Sequence, residues 1–455
     1  MDVVSGLLHE LADKGIKLSV AGDNLNCYAP KGTLTQEIRE SIQRNKPGIV
    51  NLLRDRTGDQ PAVEPSFNFQ GEAVLDPSIR PMQGFGRVEA HDDAKRILLT
   101  GASGFLGAYL LRDLILETGA QVYCLIRCRG ESEGNERIKS NLLKYGLWSD
   151  EFASHIVSVP GDLSRPLLDL GEEKFATFST EIDVIYHSGA LVNFLYPYTR
   201  LRDSNVRGTE EVIRLACQAR PKPLHYISTV GVFPPTKDRD IRVLESDPLG
   251  DGQGLVDGYR QSKWVAEKLV KIAGDCGLPI RIYRPGLVAG DSITGLWNTD
   301  DFLPRMIKGC IQLGRAPERD AVIDVVPVDY VSKAIVHLSR KPELPSIVFN
   351  LVNPHHISAS EMGRLIDSLG YKTPVVSYPE WRNALLEDAK SSSKNALYPL
   401  LKMFSEEPPP DLVPLFDCRH TLEGLRGTRL VCPEINVDLM ATYLGYFKAS
   451  GFLDS

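Results

Sequence analysis

Tyr259 and Lys263 stand four residues apart in Tyr259-Arg-Gln-Ser-Lys263, and the run that follows, Trp-Val-Ala-Glu-Lys-Leu-Val, has a helical pattern. At that spacing both side chains share one helix face. A phenol beside an ammonium is a candidate proton donor, because the positive charge favours the phenolate and lowers the tyrosine pKa. Upstream, Tyr226-Ile-Ser228-Thr229-Val-Gly-Val-Phe233 ends a strand-like run in two hydroxyls. A hydroxyl at a strand end can hydrogen-bond a substrate oxygen as charge develops on it. Thr229, four residues before Phe233, is taken over Ser228. A tyrosine–lysine pair is also common on solvated helix faces, and a Ser/Thr pair often only closes a strand. The chemistry therefore depends on what the chain places beside them.

Thr100-Gly101-Ala-Ser103-Gly104-Phe105-Leu106-Gly107 supplies that context. It follows the apolar run Arg96-Ile-Leu-Leu99 and opens a helix-like run at Ala108. Strand, glycine turn and helix, in that order, let backbone N–H groups and a helix N-terminus meet a pyrophosphate. The spacing is G-x-x-G-x-x-G rather than the commoner G-x-G-x-x-G. Residues 120–126 read as a second buried strand, ending at Arg127. In a Rossmann unit that strand end faces the adenosine ribose: a carboxylate there suits the 2′-hydroxyl of NAD, an arginine the 2′-phosphate of NADP. Arg127, with Arg129 and Arg137 close behind, predicts NADPH; a solvated basic loop is the plainer alternative. A third strand runs to Asp162-Leu163, and a fourth, from Ile182, ends in Ser188-Gly-Ala190. Strands alternating with helical segments predict an α/β fold with a doubly wound parallel sheet.

Several further stretches match one family. The glycine turn, Thr229, Tyr259-x-x-x-Lys263 and Asn205-Val-Arg-Gly-Thr209 resemble the extended short-chain dehydrogenase/reductases. Tyr283-Arg-Pro285-Gly286, Val326-Pro-Val-Asp329, the stretch from Asn395, Phe416-Asp417, Val431-Cys-Pro-Glu and Tyr443-Leu-Gly-Tyr-Phe narrow this. From about Val74 onward the chain is similar to the thioester reductase domains that end many nonribosomal peptide and polyketide synthetases. The resemblance implies an enzyme that takes a phosphopantetheine-bound thioester from a carrier protein and reduces it with NADPH to an aldehyde, which some relatives reduce again to an alcohol. It assigns oxyanion stabilisation and proton donation to Thr229 and Tyr259, and ribose binding to Lys263. It adds Thr100, Ser103, Phe105, Leu106, Asp162, Leu163, Ser188, Ala190, Tyr283, Pro285 and Gly286 to the glycines, Arg127 and Arg137 as the cofactor-binding set. Another extended reductase, acting on an acyl-CoA or a nucleotide sugar, and a non-catalytic docking adaptor are the competing readings.

Residues 1–56 have a different character. An amphipathic run stopped at Gly15, two strand-like runs flanking Ala-Gly-Asp-Asn, and two short helical runs predict an α-β-β-α-α unit. Thr35 caps the first of those last helices and Pro47 opens the second. A unit this small buries little core, so dimerisation or a partner would help it. It resembles TubC-type docking domains, which implies a docking element of an upstream synthetase as partner. Eight basic and seven acidic residues make it near neutral, with Arg39, Arg44, Lys46, Arg54 and Arg56 crowding its second half. That face is expected either to receive an acidic tail or simply to be solvated. Residues 57–92 read as linker and lead-in, loose only to Gly71, with Ala73 to Pro81 as an opening strand. The Rossmann domain is expected over 93–352 and a mostly helical substrate and carrier subdomain over 353–455, with inserts at about 290–320.

The 455 residues suffice for two or three domains. A net charge of −7 argues against a generic nucleic-acid binder. The eight cysteines form no C-x-x-C and no Cys/His cluster, so neither metal nor a disulfide framework is expected. No signal-peptide pattern and no long apolar run occur, which predicts a cytoplasmic protein without a membrane partner. Asp367-Ser368-Leu369 matches the core of a phosphopantetheine attachment site, but the glycine pair before it is missing and the surrounding pattern is helical. The chain is therefore expected to lack its own carrier and to act in trans, with the docking unit raising the local concentration of thioester.

Overall fold

Leu98 is fully buried on one face of its strand, while Ile97 and Leu99 are buried on the other. A strand apolar on both faces belongs inside a sheet covered by helices on both sides. The computed structural model describes Leu11, Ile42 and residues 17–21, 24–28, 68–81, 94–236, 238, 241–345, 347–391, 395–406 and 413–453. The chain divides into two units, with the boundary between Phe67 and Asn68.

In the first unit, β1 (Lys17–Ala21) pairs antiparallel with β2 (Asn24–Tyr28), Ala21 opposite Asn24. This is the expected hairpin. The helices expected around it lie outside the described residues, apart from Leu11 and Ile42, both of which are helical.

The second unit is built on a seven-stranded parallel sheet. Its strands are β3 (Arg96–Thr100), β4 (Gln121–Ile126), β5 (Ile156–Pro160), β6 (Val184–His187), β7 (Leu224–Ile227), β8 (Ile280–Pro285) and β9 (Val348–Leu351). They lie in the order β9-β8-β7-β6-β3-β4-β5. Their helical connections include α1 (Phe105–Thr118), α2 (Glu131–Lys144), α3 (Gly171–Glu181), α4 (Gly208–Cys217), α5 (Gly258–Asp275), α6 (Phe302–Leu313) and α7 (Val328–Ser339). Strand order reverses at β3, so the crevice between the ends of β3 and β6 is where this architecture binds ligands. One core packs Leu99, Tyr109, Leu110, Ile138 and Ile335 on one face; the other packs Leu98, Ile185, Ile213 and Val265. Burying a side chain such as Leu98 stabilises the fold by about 1.5–3 kcal/mol.

The C-terminal part adds α8 (Ala359–Ile366), α9 (Tyr378–Ser391) and α10 (Val437–Ala449). Trp297, Leu303, Ile307, Tyr443 and Phe447 form its core, and Tyr443 donates to the Gly290 carbonyl at 3.0 Å. Ser368 lies in the turn after α8 and donates to Leu365 O at 2.7 Å.

Two details differ from expectation. Ala73 to Pro81 is irregular apart from a turn at Pro77-Ser78, instead of an opening strand; Asp76, Pro77 and Pro81 are poor strand formers, and proline withholds a ladder donor. Phe69 to Gly71, expected to be loose, are also structured. Phe69–Glu72 is a short 3₁₀ turn whose buried Phe69 ring meets Trp264 edge-on, with centroids 5.7 Å apart. Glu72 accepts from Arg202 and from the Tyr198 hydroxyl, each at 2.7 Å. The lead-in is thereby fastened to Trp264, on the helix that carries Tyr259, and to Tyr198 and Arg202.

Candidate active site

The turn after β3 is shaped by its glycines. Gly101 has φ +82°, and a Cβ there would lie 2.7 Å from Gly189 N, at the end of β6. At Gly107 a Cβ would overlap the Gly101 carbonyl. The Gly104 N–H donates to that carbonyl at 2.9 Å and Gly104 caps α1 without a side chain. No acidic residue occupies the first turn of α1, so its free N–H groups and positive dipole end remain available to an anion. Ser103 and Gly104 are exposed at this mouth, and Phe105 and Leu106 are half-buried.

A buried chain of hydrogen bonds stands behind the turn. Gly189 N–H donates to Thr100 Oγ1 at 2.9 Å. Thr100 Oγ1 and His187 Nδ1 are 2.7 Å apart, and His187 Nε2 and Thr209 Oγ1 are 2.9 Å apart. The Thr209 hydroxyl is committed to Asn205 O at 2.6 Å, so it accepts from His187 Nε2–H, and Nδ1 accepts from Thr100. Burial, helped by the Lys263 charge, pushes the His187 pKa down to about 3, which keeps the imidazole neutral.

Asn205 continues the chain toward α5. Its Nδ2 donates to Ser262 Oγ and to Leu191 O, each at 3.0 Å, and Leu191 N–H returns to Oδ1 at 2.7 Å. Ser262 donates to Tyr259 O at 2.7 Å. Asp257 caps α5, accepting from Arg260 N at 2.8 Å. Tyr259 and Lys263 therefore sit in the first two turns of a well-anchored helix. The Tyr259 ring meets Phe194 edge-on at 5.4 Å. Lys263 Nζ donates to Ile227 O at 2.7 Å and lies 4.2 Å from the Tyr226 ring centre.

Thr229 is the N-cap of the short turn Val230–Val232, and its Oγ1 accepts from Gly231 N at 3.1 Å. A Cβ on Gly231 would touch both Arg260 and Thr229 Oγ1 at 3.4 Å, which places Thr229 against the start of α5. The neighbouring Ser228 is buried and donates to Glu267 Oε2 at 2.6 Å, so its hydroxyl is already committed.

The expected acidity of Tyr259 is not found. Burial and the Asp257 carboxylate hold its phenol above the ordinary value, and only Arg260 opposes them. Helix-face spacing was the basis for the expectation, but the Lys263 amine is drawn to the β7 carbonyl. Burial also pushes that amine down to about 7, against the pull of Glu267. Tyr259 is thus a protonated donor throughout the neutral range.

A family profile described as "Male sterility protein", an NAD-binding family, matches residues 99–335. The chain belongs to that family. A second profile, the TubC N-terminal docking domain, matches residues 4–55. The chain is 46% identical to the terminal R domain from the myxalamid PKS-NRPS biosynthetic pathway, with a TM-score of 0.79 over 85% of this chain and 98% of that one. It is 41% identical over 387 residues to a linear gramicidin synthase polypeptide of Brevibacillus parabrevis. L-2-aminoadipate reductase of Schizosaccharomyces pombe is 32% identical over 441 residues. These alignments span 84% and 91% of this chain but 8% and 31% of the two relatives. The architecture is that of a synthetase reductase domain preceded by a docking domain.

The cofactor of such a reductase is a nicotinamide dinucleotide, and the glycine cradle and uncapped α1 fit its pyrophosphate. The fold brings Gly101 against the Ser188 and Gly189 backbone just after β6, and Ala190 follows them in the chain. Leu163 joins them, because its side chain would contact a Cβ on Gly189 at 2.8 Å. Asp162 Oδ1 accepts from Ser164 N and Oγ at 2.9 and 2.8 Å, shaping the turn after β5. Pro285 ends β8, and Gly286 approaches the Asp324 backbone too closely for any side chain. Arg127 is exposed at the tip of β4, and the Arg137 guanidinium donates to the Arg127 carbonyl.

The Thr100 and Tyr283 side chains are fully buried. Thr100 spends its hydroxyl on His187 and Gly189. Tyr283 is fully buried, its hydroxyl 3.2 Å from His225 Nδ1 and its ring stacked on Phe349. Both support the site from within the sheet.

Asn141 was not foreseen. From α2 its Nδ2 donates to Ala102 O and Gly104 O at 3.2 and 3.1 Å, holding the glycine turn in shape. It lines an open cleft with Ser103, Glu136, Arg137, Ser140 and Lys144. No local pattern marks such a residue, because its partners are 37 and 39 residues away.

Among the described residues, no His/Cys/Asp/Glu cluster could hold a metal ion, and no helix is long and apolar enough to cross a membrane.

Proposed function

We propose that this reductase uses NADPH to release a carrier-bound acyl or peptidyl thioester as an aldehyde, acting in trans on an upstream synthetase. The carrying observation is that Lys263, from the helix that also bears Tyr259, bonds the Ile227 carbonyl at the end of β7, two residues before Thr229. Arg127 at the tip of β4 supports the phosphorylated cofactor, since its guanidinium can bind a 2′-phosphate bidentately. Residues 1–56 would be the docking domain, 57–92 the linker and lead-in, 93–352 the cofactor domain and 353–455 the substrate subdomain.

A bound reduced nicotinamide supplies hydride to the thioester carbonyl carbon. The Thr229 hydroxyl and Tyr259 phenol hydrogen-bond the carbonyl oxygen and stabilise the charge that gathers there. Tyr259 then gives its proton to that oxygen. Its high pKa suits this, because the donor stays protonated until a strongly basic alkoxide forms. Breaking the C–S bond then passes the hydroxyl proton to the departing sulfur, which returns the carrier thiol and leaves the aldehyde, and a solvent proton restores the Tyr259 phenol. A second round would yield an alcohol.

The partners proposed are the phosphopantetheinylated carrier protein of the upstream synthetase and a docking element of that synthetase. A homodimer through the docking domain would further stabilise that small unit. Deleting residues 1–56 tests this arrangement. Turnover of a soluble model thioester should be retained, while transfer from the partner's loaded carrier should fall. Equal loss on both substrates would make the N-terminal unit structural and contradict the docking role.

A further inference from the structure

Glu267 lies on α5 one turn beyond Lys263 and is fully buried. A buried carboxylate is costly unless its charge and lone pairs are matched. Ser228 Oγ donates to its Oε2 at 2.6 Å. Arg284, also fully buried, donates from Nη2 to Oε1 at 2.5 Å and from Nε to both oxygens at 3.1 and 3.2 Å. Lys271 Nζ stands 3.7 Å from Oε1. Burial opposes the charge, but Arg284, Lys271 and Ser228 outweigh it and hold the carboxyl below its ordinary range.

The partners of this carboxylate are the immediate neighbours of the site. Ser228 precedes Thr229, and Arg284 precedes Pro285-Gly286. Tyr259 and Lys263 share the helix of Glu267 itself. One carboxylate therefore grips β7, β8 and α5 where all three reach the crevice. A buried ion pair is weak evidence for stability, because well-packed apolar replacements are often as stable. Position at the site is the more specific property of this one.

We propose that Glu267 is a positioning residue for the reduction: it fixes the Thr229 and Pro285-Gly286 segments against α5 through Ser228 and Arg284. This rests on the reductase reading above. The groups around Lys263 are the Ile227 carbonyl and Tyr226 ring from β7 and the neutral His187 imidazole from β6, while Tyr259 and Glu267 lie one turn before and one turn after it on its own helix. Glu267 is the anion that opposes the effect of burial on Lys263. The amine is charged below its pKa, so activity that needs the cation falls as pH rises through that value. Removing the carboxylate charge lowers that pKa and moves the fall to lower pH.

The test is kcat/KM against pH for the full chain, with NADPH and a soluble acyl-pantetheine thioester. Glu267→Gln should move the alkaline limb down by about one pH unit, a loss of about tenfold at fixed pH above it and less below. The double variant Glu267→Gln/Arg284→Gln removes both buried charges and serves if the single variant unfolds; its limb should move the same way but less, because a cation is lost with the carboxylate. Ser228→Ala leaves the carboxylate charged; it should lower kcat several-fold, on the scale of one lost hydrogen bond to a charged group, without moving the limb. A folded Glu267 variant with wild-type kcat/KM across the pH range overturns the proposal, and so does Ser228→Ala with wild-type kcat. Wild-type protein that oxidises no NADPH with any thioester would instead overturn the reductase reading.

Discussion

Lys263 donates a 2.7 Å hydrogen bond from Nζ to the backbone carbonyl of Ile227. That contact binds the helix bearing Tyr259 to the strand whose next residues are Ser228 and Thr229, so the proposed proton donor and the proposed oxyanion partner share one anchor. It also explains why Lys263 does not acidify Tyr259: the amine is committed to the strand and partly discharged by burial.

Tyr259→Phe removes the proposed donor and keeps the ring that packs on Phe194. Steady-state turnover should fall by about 10²–10⁴-fold, the usual contribution of a positioned acid. NADPH affinity measured by calorimetry should be unchanged. Near-normal turnover would remove Tyr259 from its role.

Arg127→Ala removes the exposed guanidinium at the end of β4. A lost charge-assisted bond costs about 1.5–3 kcal/mol, so NADPH should bind roughly 10- to 100-fold more weakly while NADH binding is unaffected. Calorimetric titration with both nucleotides reads this directly. An unchanged ratio would place the 2′-phosphate elsewhere.

His187 makes the fold sensitive to acid. Its pKa is about 3 in the folded chain, against 6.5 as the ordinary value. Between those values the unfolded chain takes up a proton that the folded chain refuses. The stability His187 contributes is therefore fully present above pH 6.5 and is lost as pH falls toward 3. Compared with His187→Gln in urea unfolding, the wild-type advantage should shrink by about 1.4 kcal/mol per pH unit in that window. A difference independent of pH would show that the imidazole titrates normally.

Much of this organisation is legible in the chain itself. The glycine turn, the alternation of apolar strands with helices, and the helix from Phe302 to its stop at Gly314 are local patterns, and the fold reproduces them. The third and fourth strands are shorter than their apolar runs, because Gly161-Asp162 and Ser188-Gly189 turn toward the crevice. Contacts between distant residues leave no such trace. Asn141 under the glycine turn, His187 between two threonines, and Glu267 between Ser228 and Arg284 become visible only when the sheet brings them together. The ionisation of Tyr259 escapes for the same reason. Four-residue spacing identifies its helical neighbour, but burial and the carbonyl of β7 decide where the charge goes.

The most direct measurement mixes the chain with NADPH and a carrier protein loaded with an acyl thioester, then follows NADPH oxidation, free carrier thiol and released product by mass spectrometry. Matched appearance of aldehyde or alcohol and free thiol, with NADPH consumed in proportion, is the predicted result. A carrier that stays acylated while NADPH remains reduced, or thiol released with a carboxylic acid as product, would contradict it.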